Sequence, residues 1–306
     1  MAVTISIGSG KGGTGKTMFL CNLATLLSKR GKKVCLVDLD IGGADAHLQF
    51  GLFEPKHSLT DFLSKKVDSL GDVLHTFHSF NGLQIIPGTG NTLQTANMTY
   101  QEKQRLLREI ASLDVDVVLI DVGAGTAYHT LDFFMFSDIQ ICVILPEPPS
   151  ILDFYNFIQL ATIRKILRSF LSHSEVGQVL KQYTFPTLAA IFELAEKTQE
   201  GAKAKAQDAL HNFQPLLVIN RDTSHTTINK TKLKQLVAKY LGIETPSLGE
   251  IPEDSKVKDA QKAYMPVCEL FPETSASKAV VRISSKVEKI IDLFDNKATL
   301  HGCGRK

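Results

Sequence analysis

The octapeptide Gly10-Lys11-Gly12-Gly13-Thr14-Gly15-Lys16-Thr17 constrains this chain more than any other stretch. It satisfies the pattern GxxxxGK[ST] and stands between an apolar run, Val3–Ile7, and a helical pattern, Lys16–Arg30. A strand, a glycine-rich curl and a helix are the context this motif needs. Glycines let consecutive backbone N–H groups point inward at one anion, and the helix start adds its positive end. In such a loop Lys16 reaches the β- and γ-phosphates of a nucleotide, and the Thr17 hydroxyl ligates Mg²⁺. The loop from Gly10 to Thr17, with Met18 next in sequence, is therefore the first group of nucleotide-binding candidates.

The rest of the chain repeats the same rhythm. Val34–Val37, Val117–Ile120, Ile141–Leu145, Leu216–Ile219 and Ser247–Ile251 read as buried strands, with helical patterns such as Gln101–Ile110 between them. Several of these runs are apolar throughout, as strands covered on both faces should be. The expectation is an α/β fold: a doubly wound, mostly parallel sheet with helices on both faces. Gly31 is placed to end the first helix. From Pro149 to about Phe213 no strand is legible, only helical pattern over Ile151–Leu171, Phe185–Glu196 and Gln199–His211. A crossover needs only about a dozen residues, so this stretch reads as a helical insertion on the sheet, serving as scaffold or as a partner surface. Residues 1–306 read as one domain, ending in a short flexible tail from about 296.

Composition narrows the setting. With 43% hydrophobic and 22% charged residues the chain is ordinary globular material. A net charge of +2 argues for no polyanionic partner by itself. No basic, apolar leader opens the sequence, and no apolar run approaches the roughly 20 residues of a spanning helix. Five cysteines show no CxxC spacing; Cys35 and Cys142 read as buried thiols of a reducing cytosol, and Cys303 as exposed and free. The expected location is the cytoplasm.

Two further strand ends carry acids. Val117-Val118-Leu119-Ile120-Asp121 is an apolar run closed by a carboxylate, the Walker B arrangement, so Asp121 is expected to hold Mg²⁺. Val37-Asp38-Leu39-Asp40 leads into Ile41-Gly42-Gly43-Ala44-Asp45, and carboxylates at such strand ends face the ligand crevice. Asp38 is read as a Mg²⁺ supporter, a loop support or a satisfied strand-end acid.

With Lys11 before Gly12-Gly13, the loop has the form KGGxGK[ST], and the chain resembles the MinD/ParA family of deviant P-loop ATPases. The resemblance covers roughly Val3–Pro148 and Pro215–Phe294. It implies that Lys11 reaches across an ATP-bound homodimer to the other subunit's nucleotide, and that Asp40 orients the attacking water. Lys11, Lys16 and Asp40 are thus the catalytic candidates. It also implies that Asn220 hydrogen-bonds adenine, that Arg221 packs on the ring, and that Pro252, Glu253 and Asp254 of the GxIPxD-like Gly249–Asp254 loop close over the base. The ligands implied are ATP and Mg²⁺. Two departures stand out: Gly123 where the family more often has Pro, which suggests a more flexible loop, and Tyr264-Met265 where Gly is common before Pro266.

Family members differ in what the dimer holds. The last residues are short of bulky apolar side chains and carry acids among them, so a C-terminal membrane-binding helix is not expected. Flagellar-number regulators usually carry an extension ahead of the P-loop strand, whereas this sequence starts almost at that strand; its middle and GxIPxD region look most like that branch. DNA binding of the partition type would use Lys278, Arg282, Lys286 and Lys289 at helical spacing, diluted by Glu288 and Asp292. The absent CxxC argues against an iron–sulfur scaffold. Two classes remain: an ATP-driven regulatory or positioning switch with an unidentified protein partner, and an ATP-dependent metabolic enzyme. No second acid–base cluster supports the latter; His47, His75, His78 and His129 are scattered.

Overall fold

A computed structural model of the chain describes residues 2–40, 43–88, 98–171, 173–182, 185, 187–223 and 230–301. Strands β1 (Val3–Gly8), β2 (Val34–Leu39), β3 (His75–Phe77), β4 (Leu83–Ile86), β5 (Val117–Val122), β6 (Ile139–Ile144), β7 (Leu216–Asp222) and β8 (Ser247–Pro252) form one sheet. Their order is β3-β4-β2-β5-β1-β6-β7-β8. Every pairing is parallel except that of β3 with β4. The six runs read as strands are all present. β3 and β4 are additional; they are three and four residues long, and His75-Thr76-Phe77 is only partly covered, so neither carries a readable period. Several strands also run further than their apolar cores, so that Asp38, Asp121, Asn220 and Arg221 lie within strands rather than after them.

Both faces of the sheet are covered. Ile5, Ile7, Leu36, Leu119 and Ile141 pack with the helices Lys16–Lys29 and Ser275–His301. Cys35, Val37, Val118, Ile120 and Cys142 pack on the opposite side with helices that include Tyr100–Ala111, Tyr128–Phe136 and Pro148–Ser169. The small polar residues of β1 survive this burial because each has a partner. The Ser6 hydroxyl donates to the Phe134 carbonyl at 2.7 Å and that of Thr4 to Asp138 Oδ2 at 2.8 Å. Cys21, Cys35, Cys142 and Cys268 are buried free thiols; Cys303 lies outside the described residues.

Among the described residues, four helices stand between β6 and β7: Pro148–Ser169, Glu175–Gln182, Leu188–Thr198 and Ala202–Asp208. Phe154, Ile158, Leu180, Ile191 and Ala206 join the same core as the strands beneath them. The boundaries follow caps rather than apolar periodicity. Pro148 occupies the first turn, where its missing N–H costs nothing. Thr187 caps the third helix at Ala190 N, 3.3 Å. Gly201 turns left-handed at φ 79° ahead of the fourth, so the pattern Gln199–His211 shortens to Ala202–Asp208. The helix Ser275–His301 extends past residue 296, where the sequence reads as a tail; residues 302–306 lie outside the described set. On that helix Lys286 donates to the Leu248 carbonyl at 2.6 Å and Lys278 pairs with Glu273 at 3.1 Å, so two of the four cations at helical spacing are engaged within the chain.

Three helices of one face meet at a buried acid. Asp132, 3% exposed, receives Lys103 Nζ from one helix and Arg164 Nε and Nη2 from another, at 2.9 and 3.0 Å. Burial acts to raise its pKa, but the Arg164 and Lys103 contacts outweigh that and hold the carboxyl below its usual range. A depressed pKa contributes stability that is present above the unfolded value and lost as pH falls through the folded one. Removing one partner of such a buried pair costs about 3–5 kcal/mol. Asp132→Asn should therefore lower the unfolding free energy by about 3 kcal/mol at pH 7 in urea titrations, with the deficit shrinking below about pH 4, where the unfolded carboxyl protonates, and gone once pH falls through the lower native value.

Candidate nucleotide site

The loop candidates gather at the carboxyl edge of the sheet, where ligands bind in open α/β folds. The P-loop leaves β1 at Gly8, and Asp38 of β2 and Asp121 of β5 are direct register partners beside it. Gly13 and Gly15 have φ of 76° and 91°, the left-handed region that glycine tolerates. At Gly10 the demand is space: a Cβ there would lie 2.0 Å from the Asp153 carbonyl oxygen on the helix Pro148–Ser169. The loop is therefore wedged against that helix. From the other side Asn220 Nδ2 donates to the Thr14 carbonyl at 2.8 Å, and a Cβ on Gly15 would lie 2.2 Å from the same nitrogen. Two contacts that no motif names thus shape the curl.

The two lysines take opposite positions. Lys16 is buried, its Nζ donating to Ser9 Oγ at 3.3 Å. Ser9 Oγ in turn donates to the Lys11 carbonyl at 2.5 Å, fixing that backbone. The residues Lys11, Gly12 and Gly13 are exposed.

Acids dominate the neighbouring edge. Thr17 Oγ1 donates to Asp121 Oδ2 at 2.7 Å, leaving Asp121 Oδ1 buried with no hydrogen-bond partner. Asp38 has both oxygens engaged: Oδ1 accepts from Asp40 N at 3.0 Å and Oδ2 from Ala46 N at 3.1 Å. Of the three readings for Asp38, loop support is the one this geometry displays. Burial, then the charge of Asp121, drives the Asp38 carboxyl well above its usual range. Burial pushes Asp121 up to about 7 despite the Thr17 hydrogen bond and Lys16. Side by side in a dry edge, two carboxylates cannot both stay ionised without a cation. A hydroxyl, an unpartnered carboxylate oxygen and surplus negative charge are the hard-oxygen environment that suits Mg²⁺. Thr17 and Asp121 would hold it.

Asp40 leans on the loop after β5. A Cβ at Gly123 would lie 3.0 Å from Asp40 Oδ1 and 3.4 Å from its Cγ. Gly123 has no left-handed φ. Glycine at this position therefore makes room for the acid, a steric role in place of the flexibility expected from sequence. Ile41 and Gly42 of the intervening segment lie outside the described residues.

A separate cavity opens beside the loop, lined among others by Met18, Arg221, Pro252, Glu253 and Gln261. Arg221 sits at φ 54° with Nε 3.8 Å from Glu253 Oε2. Two base-side candidates have structural duties. Asn220 holds the P-loop, as above. Asp254 caps the helix Ser255–Lys262 through Lys256 N at 3.0 Å, and its other oxygen accepts from Ser275 Oγ at 2.9 Å. Asp254 nevertheless lines the cavity, together with Val257, Lys258 and Gln261. Those four fall at i, i+3, i+4 and i+7, so helical periodicity from Asp254 onward would have found the last three. Ser9 and Asp153 carry no such signal.

Known proteins resemble this chain in sequence and in fold. The family described as CbiA, the CobQ/CobB/MinD/ParA nucleotide binding domain, matches residues 5–267. An uncharacterized ATP-binding protein of Methanocaldococcus jannaschii is 30% identical over 288 residues, covering 94% of this chain and 88% of the relative. The septum site-determining protein MinD of Helicobacter pylori is 31% identical over 288 residues, with 94% and 91% covered. The antiactivator FleN of Pseudomonas aeruginosa is 25% identical over 286 residues, with 93% and 85% covered. Among solved structures, MinD of Pyrococcus horikoshii complexed with Mg-ADP superposes with a TM-score of 0.68 at 23% identity, covering 95% of this chain and 97% of that one.

Because Asn220 Nδ2 partners a carbonyl inside the P-loop, Asn220→Ala should leave that oxygen without its bond, a loss worth about 1–3 kcal/mol. Titration calorimetry with ADP should show binding weakened by about tenfold or more, whichever base the nucleotide carries. A loss confined to adenine nucleotides would mean that Asn220 acts on the base alone.

Proposed function

The chain belongs to the CobQ/CobB/MinD/ParA nucleotide-binding family, and we propose that its ATPase works as a dimerisation switch of the positioning-regulator kind. The observation that carries this is the contrast between its two loop lysines. Lys16 is enclosed where its own triphosphate would lie, whereas Lys11 stands exposed on a backbone pinned by Ser9. An outward cation at the mouth of a phosphate site serves a second phosphate chain better than its own. Two copies meeting face to face would each supply Lys11 to the other's ATP, as an arginine finger does in trans.

Within each subunit the roles divide by position. The backbone of the loop from Gly10 to Thr17 and Lys16 bind the phosphates. Thr17 and Asp121 would hold Mg²⁺, which when bound would supply charge neutralisation to the phosphates. Asp40, packed on Gly123, orients the water that attacks the terminal phosphate. Met18, Arg221, Pro252 and Glu253 enclose the base. The Mg-ADP in the P. horikoshii MinD structure is consistent with this assignment.

The output is read by a protein partner that senses the ATP state. Leu152 and Leu160 stand exposed on the helix whose Asp153 abuts the P-loop, which supports a docking face coupled to the nucleotide. Relatives include septum site-determining MinD, flagellum site-determining YlxH and the antiactivator FleN, and a solved MinC:MinD complex of Aquifex aeolicus pairs one such protein with a partner. No helix among the described residues is long and apolar enough to cross a membrane, in keeping with a cytoplasmic site of action. DNA as a platform is disfavoured by the internal partners of Lys278 and Lys286.

Light scattering after size exclusion tests the switch. Asp40→Ala should run as a dimer with Mg²⁺ and ATP and as a monomer with ADP, with hydrolysis down by about 10²-fold. Lys16→Ala should bind no nucleotide. One mass in both nucleotides would remove the dimer role of Lys11. Gly123→Ala should crowd the Asp40 carboxylate and lower kcat by about tenfold, with ATP affinity and dimer mass unchanged.

A further inference from the structure

Ser9 stands just ahead of the phosphate-binding pattern, and no motif gives it a role. It is 1% exposed, at the point where β1 passes into the loop. Its main chain faces the loop after β5: the Ser9 carbonyl accepts from Gly125 N at 3.1 Å. Gly125, at φ 91°, lies two residues beyond Gly123, on which Asp40 leans. The Ser9 side chain faces the other way, into the P-loop, and touches both of its lysines. Its hydroxyl meets the side chain of Lys16 and the backbone of Lys11.

Proton counting fixes the direction of both bonds. Ser9 has one hydroxyl proton, and the 2.5 Å bond gives it to the Lys11 carbonyl, which can only accept. Lys16 Nζ, 3.3 Å away, can only donate, so it meets a lone pair of the same oxygen. A chain of donors thus runs from the Lys16 ammonium through Ser9 Oγ to the backbone of Lys11. The charge at its head polarises the hydroxyl and strengthens the second bond. Lys16 gives one of its three protons to Ser9 and keeps two for phosphate. Lys11 has no such enclosure. It is exposed, and the exposed glycines Gly12 and Gly13 that follow restrain its backbone little. The restraint comes from the Ser9 hydroxyl.

We propose that Ser9 is a positioning residue for hydrolysis in the other subunit of the dimer: its hydroxyl aims Lys11 at the neighbouring ATP. This rests on the dimerisation switch above and deepens it, by naming the group in each copy that sets the direction of the cation sent across. A long side chain on a backbone free to swivel reaches its target in few of its conformers, and orientation of a charge at the reacting phosphate is worth rate. The Gly125 bond seats Ser9 from the same loop that makes room for Asp40. The acid that orients water in one site and the cation that serves the other are therefore both referred to Ser9.

Mixing subunits separates this role from one inside Ser9's own site. Ser9→Ala should lower kcat by about tenfold, while ADP affinity stays at the parent value. Excess Asp40→Ala, added before ATP, forms mixed dimers with it. In these the Ser9→Ala subunit keeps its own Asp40 and receives a correctly held Lys11 from the other copy. Hydrolysis per Ser9→Ala subunit should then return to the parent level. Lys11→Ala should be rescued by Asp40→Ala in the same way. Rescue of Lys11→Ala without rescue of Ser9→Ala overturns the role of Ser9 alone. Rescue of neither overturns the dimerisation reading with it. A defect of packing within the subunit predicts no rescue at all. Parent kcat in Ser9→Ala also overturns the proposal, and so does loss of its ADP binding, which would put the work of the hydroxyl on Lys16. Ser9→Thr, which keeps the hydroxyl, should hydrolyse faster than Ser9→Ala; an equal or larger defect would take the role away from that group.

Discussion

The hydrogen bond from Thr17 to Asp121 joins the two halves of the site, because it links the first turn of the P-loop helix to the end of β5. Around it the sheet brings together groups that water would otherwise keep apart: two buried acids in register and a buried lysine. Lys16 and the backbone N–H groups of the curl give the edge its positive side, and Asp38, Asp40, Asp45 and Asp121 its negative side. Only a ligand with both signs, a polyphosphate with its metal ion, balances such an edge. The strand order, the glycines and the wedge of Asp153 against Gly10 all keep these opposed charges within reach of one another.

Groups whose chemistry depends on neighbours in sequence were the easiest to read. The P-loop declares itself because glycine, lysine and threonine act on one ligand through a single turn of backbone, and Asp121 because an apolar strand delivers it. The parallel sheet followed from strands buried on both faces. What sequence withheld was contact between distant segments. Nothing near Gly10 announces the Asp153 carbonyl, and nothing near Asn220 announces that its amide holds the Thr14 carbonyl. Asp254 looked like part of a base-covering loop and is at the same time the cap that ties two helices together. β3 and β4 escaped because strands of three and four residues are defined by their partners more than by their own pattern.

Gly123 shows how an apparent departure acquires a reason. In sequence it is a missing proline and suggests looseness. In three dimensions it faces Asp40, and any side chain would compete with that carboxylate for the same volume. Asp132 is a comparable case on the other side of the β5 loop. It is unremarkable in the sequence, yet it draws Lys103 and Arg164 together so that the helix beginning at Tyr128 is bolted to its two neighbours. The segment between Gly123 and Ala127 therefore works between a crowded acid and a rigid helix.

The margins of the sheet carry a consequence of their own. On one side the terminal strand, β3, is three residues long and runs against its neighbour. On the other, β8 ends at Pro252, which has no N–H to offer. Neither margin is a good template for a further strand, and short or proline-ended borders are a known defence against edge-to-edge stacking. Two copies of this chain are thereby steered away from a continuous intermolecular sheet. Any reversible assembly of copies would fall to the loops and helix surfaces, where contacts made by side chains and a bound ligand could be undone when that ligand changes.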